Sequence, residues 1–314
     1  MPFPNRPLSF VLALGFVLAV AACASIPLPP PEHPPRAEPM ALLGKPDRPT
    51  IAFVLGGGGA RGFAHTGALK VLDDAGIRAD VVVGTSAGSV VGALYAGGIR
   101  NDELLATALK VDEDQLFDFV LPNRGFIVGN RLQTYLDEAL NGRLIEQLNV
   151  PFVAVATELQ TGRRVAFNRG DVGAAVRASC SVPGIFQPAM IEGREYVDGG
   201  LTSPVPVKVA RDLGADIVIA IDVSRRPADR ADFGSTTAIM GQAIVIMEQS
   251  IALEETKFAD VVIRPDLAKV PATDLAARTK AIAAGEDAAR AALPRIRELI
   301  EEKTAAMARA REVR

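Results

Sequence analysis

Residues 81–96 read VVVGTSAGSVVGALYA. The three valines form a short, wholly apolar strand of the kind found at the buried centre of a parallel sheet. The stretch from Ala87 to Tyr95 has helical character and is closed by Gly97-Gly98. Between strand and helix, Gly84-Thr85-Ser86-Ala87-Gly88 fits G-x-S-x-G. A sharp turn of this kind lifts a serine hydroxyl clear of the sheet, and neighbours without side chains avoid clashes in it. The helix that follows aims its positive end at Ser86, where negative charge would develop during attack on a carbonyl. Ser86 is therefore the candidate nucleophile, with Gly84 and Gly88 as its support.

Upstream, Thr50–Leu55 (TIAFVL) is another apolar strand, and it stops at four glycines. Ala60 to Ala75 continues with helical spacing, placing Phe63, Leu69, Val71 and Leu72 on one face. Strand, helix, strand and helix in such close succession indicate right-handed crossover units of an α/β sheet. Downstream, 151–157, 165–168, 195–197 and 216–223 read as strands, with a possible edge at 261–264. Residues 171–178 and 207–213 read as helices. Ser224 to Thr236 is charged and reads as a mobile surface loop, a candidate lid. Ala284 to Arg311 reads as one or two terminal helices, with Pro294 a start or a kink.

Composition narrows the chemistry. The chain has 314 residues, 49% hydrophobic and 23% charged, which is ordinary for a globular protein with a sizeable core. Lys+Arg 34 against Asp+Glu 37 leaves no basic excess, so no nucleic-acid partner is expected. Two cysteines exclude a disulfide scaffold or a cysteine-based zinc site, and there is no calcium-loop pattern, so neither metal nor cofactor is expected. The only histidines are His33 and His65. His33 lies in a proline-rich stretch, and His65 sits on a helix that carries it away from the glycine loop or beside it.

The loop Gly56–Gly62 (GGGGARG) admits three readings. From Gly57 to Gly62 it satisfies the dinucleotide pattern G-x-G-x-x-G, but the second strand ends in Gly84-Thr85-Ser86 where that fold wants an acidic residue. Arg61-Gly62-Phe63 stands where a P-loop needs Lys and Ser/Thr. The third reading is an oxyanion hole of backbone N–H groups, which glycines let a substrate oxygen approach closely. For a base, Asp198-Gly199-Gly200 follows the short strand Glu195–Val197 and forms a tight turn. Cys180 is either a small buried residue or part of the site lining.

The N-terminus reads as an address. Leu8–Ala22 is an apolar run of signal-peptide length, shorter than a membrane span. Val20-Ala21-Ala22-Cys23 resembles the lipobox of bacterial lipoproteins, which implies lipidation at Cys23. Ala24 in place of Asp then favours the outer membrane, facing the periplasm. A signal cut near Ala22, giving a secreted protein, and an uncleaved anchor in the inner membrane remain alternatives. Residues 27–49 hold nine of the 22 prolines and are expected as an extended tether without packing of their own. The expected organisation is a signal over 1–22, a lipidated tether over 23–49, a catalytic domain over 50–265 and a helical extension over 266–314.

The glycine loop, the serine turn and the D-G-G box, in that order, resemble the patatin-like phospholipases, as does the segment Ser179–Pro188 (SCSVPGIFQP). The resemblance covers about Thr50 to Val223. It implies a three-layer α/β/α fold around a mostly parallel sheet, with Ser86 as nucleophile and Asp198 as its base. The N–H groups of Gly58 and Gly59 would form the oxyanion hole, with Gly57 shaping the approach. Gly62, Gly199 and Gly200 would support the turns. Arg61 would hold the loop, meet an anionic head group, or simply stand at the surface. The implied activity is release of fatty acids from phospholipid or other lipid esters at a membrane surface, without a cofactor. A tethered lipid-binding module without turnover and a thioesterase using the same dyad are the alternatives.

Overall fold

The computed structural model describes residues 28–40, 48–121, 124–229 and 233–312. The apolar leader and Cys23 lie outside the described residues. Eight strands form one mixed, mostly parallel sheet: β1 Ile51–Leu55, β2 Val81–Thr85, β3 Phe152–Glu158, β4 Arg164–Phe167, β5 Ala189–Ile191, β6 Arg194–Asp198, β7 Ile217–Ile221 and β8 Val261–Ile263. Their order is β5-β6-β3-β2-β1-β7-β8, with β4 also paired to β3. β2, β1, β7 and β8 run parallel to one another and to β3, β4 and β6 pair antiparallel with β3, and β5 pairs antiparallel with β6.

The central strands β1, β2, β3 and β7 are buried at every position because both of their faces are covered. Side chains alternate across a strand. Ile51, Phe53 and Leu55 enter one core, while Ala52 and Val54 enter a second. The first core lies under α1 Phe63–Asp74, α2 Ala87–Ala96, α3 Asn101–Lys110, the one-turn α4 Glu113–Leu116, α5 Asn130–Ala139, α6 Val172–Ser179 and α9 Arg278–Glu312. The second lies under α7 Val207–Asp212 and α8 Thr236–Thr256. This is the three-layer arrangement expected.

Several expectations change. The terminal segment is a single helix, α9, and Pro294 lies inside it and does not start it. α9 packs closely along α1, where a Cβ on Gly285 would lie 2.0 Å from the Ala64 carbonyl oxygen. Within the proline-rich stretch, residues 33–38 are not a free tether. They run against 168–171, with the Arg36 N–H donating to the Arg169 carbonyl (3.0 Å) and the Asp171 N–H to that of His33 (2.8 Å). Pro35 is buried there. Helix α8 is by length and composition apolar enough to cross a membrane, and only 17% of its most apolar window is buried.

Candidate active site

The chain leaves β2 at Ser86 in a backbone conformation that non-glycine residues seldom adopt (φ 53°, ψ −126°). Such a conformation costs on the order of 1–3 kcal/mol and persists only where its surroundings enforce it. Here they do. The Ser86 N–H donates to Ser179 Oγ (2.9 Å), whose own hydroxyl donates to the Val155 carbonyl on β3 (2.6 Å). The Ser86 carbonyl opens α2 by accepting from Ser89 N and Ser89 Oγ, both at 2.7 Å. Gly88 has no room for a side chain, since a Cβ would lie 2.1 Å from the Leu55 carbonyl oxygen. A Cβ on Gly84 would meet the Gly88 carbonyl at 2.5 Å.

Strand β3 brings Asp198 to this turn. Ala154 and Val155 pair with both β2 and β4, whereas Ala156 and Thr157 pair with both β4 and β6. A strand has two edges, so β4 occupies one, and β2 and β6 share the other end to end. Thr85 stands opposite Val155 and Asp198 opposite Ala156, so β2 ends where β6 ends and the two candidate residues meet. Asp198 is fixed by its N–H to the Ser181 carbonyl (2.9 Å) and by Thr157 Oγ1 on its own carbonyl (3.0 Å).

The Asp198 carboxyl is buried. Its Oδ1 accepts from the Gly200 N–H (2.7 Å), while Oδ2 has no hydrogen bond of ordinary geometry. Burial pushes this carboxyl up to about 7, against the lowering effect of the nearby Ser86 hydroxyl and of Gly200, and the charge of Glu248 adds to the rise. Gly199 sits tightly in the turn, where a Cβ would lie 2.2 Å from the Val155 carbonyl oxygen.

The glycine loop lies on the other side of Ser86. A Cβ on Gly57 would stand 3.3 Å from Ser86 Cβ, and one on Gly62 would stand 2.6 Å from Ala87 Cβ. The Gly57 N–H is already engaged by the Pro204 carbonyl (2.9 Å). Neither the Gly58 nor the Gly59 N–H makes a hydrogen bond among the described residues. Gly59 has φ +60°, and a Cβ there would lie 2.3 Å from the Ala272 carbonyl oxygen, which itself accepts from the Ala60 N–H (2.7 Å).

Arg61 is buried, so neither the surface reading nor a head-group role fits. Its Nε donates to the Val270 carbonyl (2.8 Å), and its Nη1 to the Ser224 carbonyl (3.3 Å) and to Asp229 Oδ2 (2.8 Å). These bonds tie residues 224–229 down, against the expectation of a loose loop there. His65 is fully buried, with Nε2 2.8 Å from the Gly56 carbonyl oxygen, and burial lowers its pKa to about 4. It is a neutral group that pins the loop. Cys180 is buried at the cavity wall, and burial pushes its thiol well above the usual range, leaving it protonated.

A cavity of about 400 Å³ opens beside Ser86 and Gly59. Its walls are mostly apolar, built by Val90 and Leu94 of α2, Leu104 and Ala108 of α3, and Phe117 and Phe186 further out. That size suits a small amphiphile or one acyl chain. Among the described residues, no group of three or more His, Cys, Asp or Glu is placed to hold a metal ion.

Sequence reasoning missed Ser179, which holds the turn, and Glu248 on α8, whose Oε1 would be 2.8 Å from a Cβ on Gly200. The first lay inside a segment valued only for its resemblance. The second stands 50 positions beyond Asp198, with no local pattern to mark it.

The fold is a three-layer α/β arrangement around a mostly parallel sheet, with a serine on a strained strand-to-helix turn and a buried carboxyl at the end of a neighbouring strand. The chain belongs to the patatin-like phospholipase family, whose model matches residues 53–211. An uncharacterized NTE family protein of Mycobacterium tuberculosis is 34% identical over 186 residues, covering 58% of this chain and 51% of that protein. Patatin-like phospholipase domain-containing protein 7 of Rattus norvegicus is 35% identical over 193 residues, covering 59% of this chain and 14% of that protein. The chain thus spans about half the length of the mycobacterial relatives and much less of the mammalian one. Among solved structures, VipD from Legionella pneumophila aligns with a TM-score of 0.56 at 14% identity, covering 91% of this chain and 73% of that one, a likeness of fold.

Proposed function

We propose that this protein is a serine acyl hydrolase that releases fatty acids from phospholipid or related lipid esters. The observation that carries the reading is the meeting of Ser86 and Asp198 on one edge of β3, beside two unengaged glycine N–H groups and an apolar cavity. Ser86 Oγ attacks the ester carbonyl carbon while its proton passes to Asp198. The oxyanion that forms is held by the N–H groups of Gly58 and Gly59. As the tetrahedral adduct collapses, the leaving alkoxide takes the proton back from Asp198 and an acyl-enzyme remains. Water then attacks with Asp198 again as base, freeing the fatty acid and Ser86. An ordinary aspartate near 3.9 is a weak base for this work, and its rise to about 7 brings it closer to the operating pH.

The test is a fluorophosphonate probe and a short-chain ester applied to the full chain and to Ser86→Ala, with folding checked by circular dichroism. Labelling and turnover that need Ser86 are expected. A folded protein inert to both, or one equally active without Ser86, overturns the reading. The site would act beside a membrane if the leader directs lipidation of Cys23, an organisation supported by the lipobox-like sequence. Incorporation of labelled fatty acid that survives Cys23→Ala would refute it.

A further inference from the structure

The hairpin-like segment after α4 presents large apolar side chains to solvent. Phe119 is 68% exposed, Leu121 85% and Phe126 52%, and beside them Ile185 is 43% exposed. Isolated exposed apolar residues are ordinary, but a contiguous set is informative. These form one set through the backbone. The Val120 N–H donates to the Phe126 carbonyl (2.8 Å), Phe119 pairs with Ile127, and the Phe126 N–H donates to the Ile185 carbonyl (2.8 Å). Phe119 and Ile185 also line the cavity that begins at Ser86, so the cavity wall continues onto the outer surface at this point.

The segment is held at its base. Asp118 is buried and accepts from the N–H groups of Gly129 (2.6 Å) and Asn130 (3.0 Å). Its one described charge near the tip is neutralised sideways, because Arg124 forks onto Glu195 with Nη2 3.1 Å from Oε2. The result is a firmly seated apolar rim whose own arginine is paired, set at the mouth of a mostly apolar cavity that carries one exposed carboxylate, Glu113, in its lining.

We infer that Phe119, Leu121, Phe126 and Ile185 form a docking rim that inserts into a lipid surface and passes a chain from that surface into the cavity. This rests on the lipid-ester reading of the site. The chemistry favours a lipid surface over a protein face: a substrate with a long acyl chain resides in an aggregate, and an apolar path from aggregate to nucleophile keeps the chain out of water. With its charge paired off, the rim fits a zwitterionic surface and needs no anionic lipid, so docking should be indifferent to salt.

Two measurements test it. In the full chain with Cys23→Ala, an environment-sensitive fluorophore is placed on Leu121→Cys, or on Glu301→Cys of α9 as control, and phosphatidylcholine vesicles are added. Brightening at position 121 but not at 301, unchanged by salt, is expected. No change at 121, or an equal change at both, overturns the proposal. So does a concentration-dependent change without vesicles, which would assign the rim to a second copy. In parallel, Leu121→Asn with Phe126→Asn should lower hydrolysis of vesicle phospholipid by roughly 100-fold through two lost apolar anchors, yet leave a soluble short-chain ester within about twofold. Equal loss on both substrates, or loss on neither, refutes docking. A protein inert to every ester sinks the hydrolase reading alone, because the fluorophore still decides docking.

Discussion

Glu248 and Asp198 are carboxyl groups from distant elements that close on the same turn. A Cβ on Gly200 would lie 2.8 Å from Glu248 Oε1 and 3.0 Å from Asp198 Oδ1. Burial raises the pKa of both, and the charge of Glu248 raises Asp198 further. Helix α8 therefore acts on the basicity of a group at the end of β6 without touching the nucleophile.

The pH profile should carry this signature. With Asp198 as the base and its pKa about 7, kcat/KM should rise about tenfold per pH unit below that value and level off above it. Glu248→Gln removes the neighbouring negative charge, so the midpoint should move to lower pH while the plateau persists. A midpoint that stays in place rejects the coupling.

Asp198→Asn should separate stability from turnover. The folded carboxyl titrates about 7 against about 3.9 in the unfolded chain, so between those values the native state keeps a proton that the unfolded state has released. Stability therefore falls as pH rises across that window, and the whole cost is present above pH 7. Asparagine can still accept from the Gly200 N–H and carries no charge. Thermal unfolding at pH 8 should show the variant stabilised, by a few kcal/mol at most, with little difference near pH 4, while hydrolysis is abolished. Equal destabilisation at both pH values would contradict this.

Gly59→Ala strikes the loop twice, through φ +60° and through the Ala272 carbonyl oxygen 2.3 Å from the new carbon. Displacing one oxyanion donor typically costs about 2.7–4 kcal/mol in the transition state. A fall in kcat of roughly 100-fold to 1,000-fold, with KM little changed, is expected. Full activity in a folded Gly59→Ala protein would remove this glycine from the site.

Arg61 should prove irreplaceable by lysine. Its fork meets one carboxylate and two carbonyl groups from separate segments, a pattern that a single ammonium cannot reproduce. Breaking a buried pair by removing one partner costs about 3–5 kcal/mol, so both Arg61→Ala and Arg61→Lys should lower Tm by several degrees. Lysine restoring wild-type Tm would show that charge alone suffices.

The legible part of this protein was the part whose residue types are forced. β1 and β7 are wholly apolar, and β2 is apolar up to its last residue, because both faces are covered, and the glycines at 59 and 88 stand where carbonyl oxygens leave no room. α5 escaped notice because it buries only Leu132 and Leu136, and α8 because its outward face carries Ile239, Met240, Ile246 and Met247 where a polar face is expected. Arg61 could be placed at the loop from sequence, but its partners at 224, 229 and 270 come from chain that folds back over it. That fold-back is long-range, and local pattern carries no trace of it.

The match to the family model ends at residue 211, yet β7 begins at Ile217 and lies in the interior of the sheet, bonded to β1 on one side and β8 on the other. A protein trimmed at residue 211 would leave β1 with a bare edge of five residues, an invitation to pair with another chain. Residue 211 is thus no place to cut, and the chain beyond it belongs to the same folding unit.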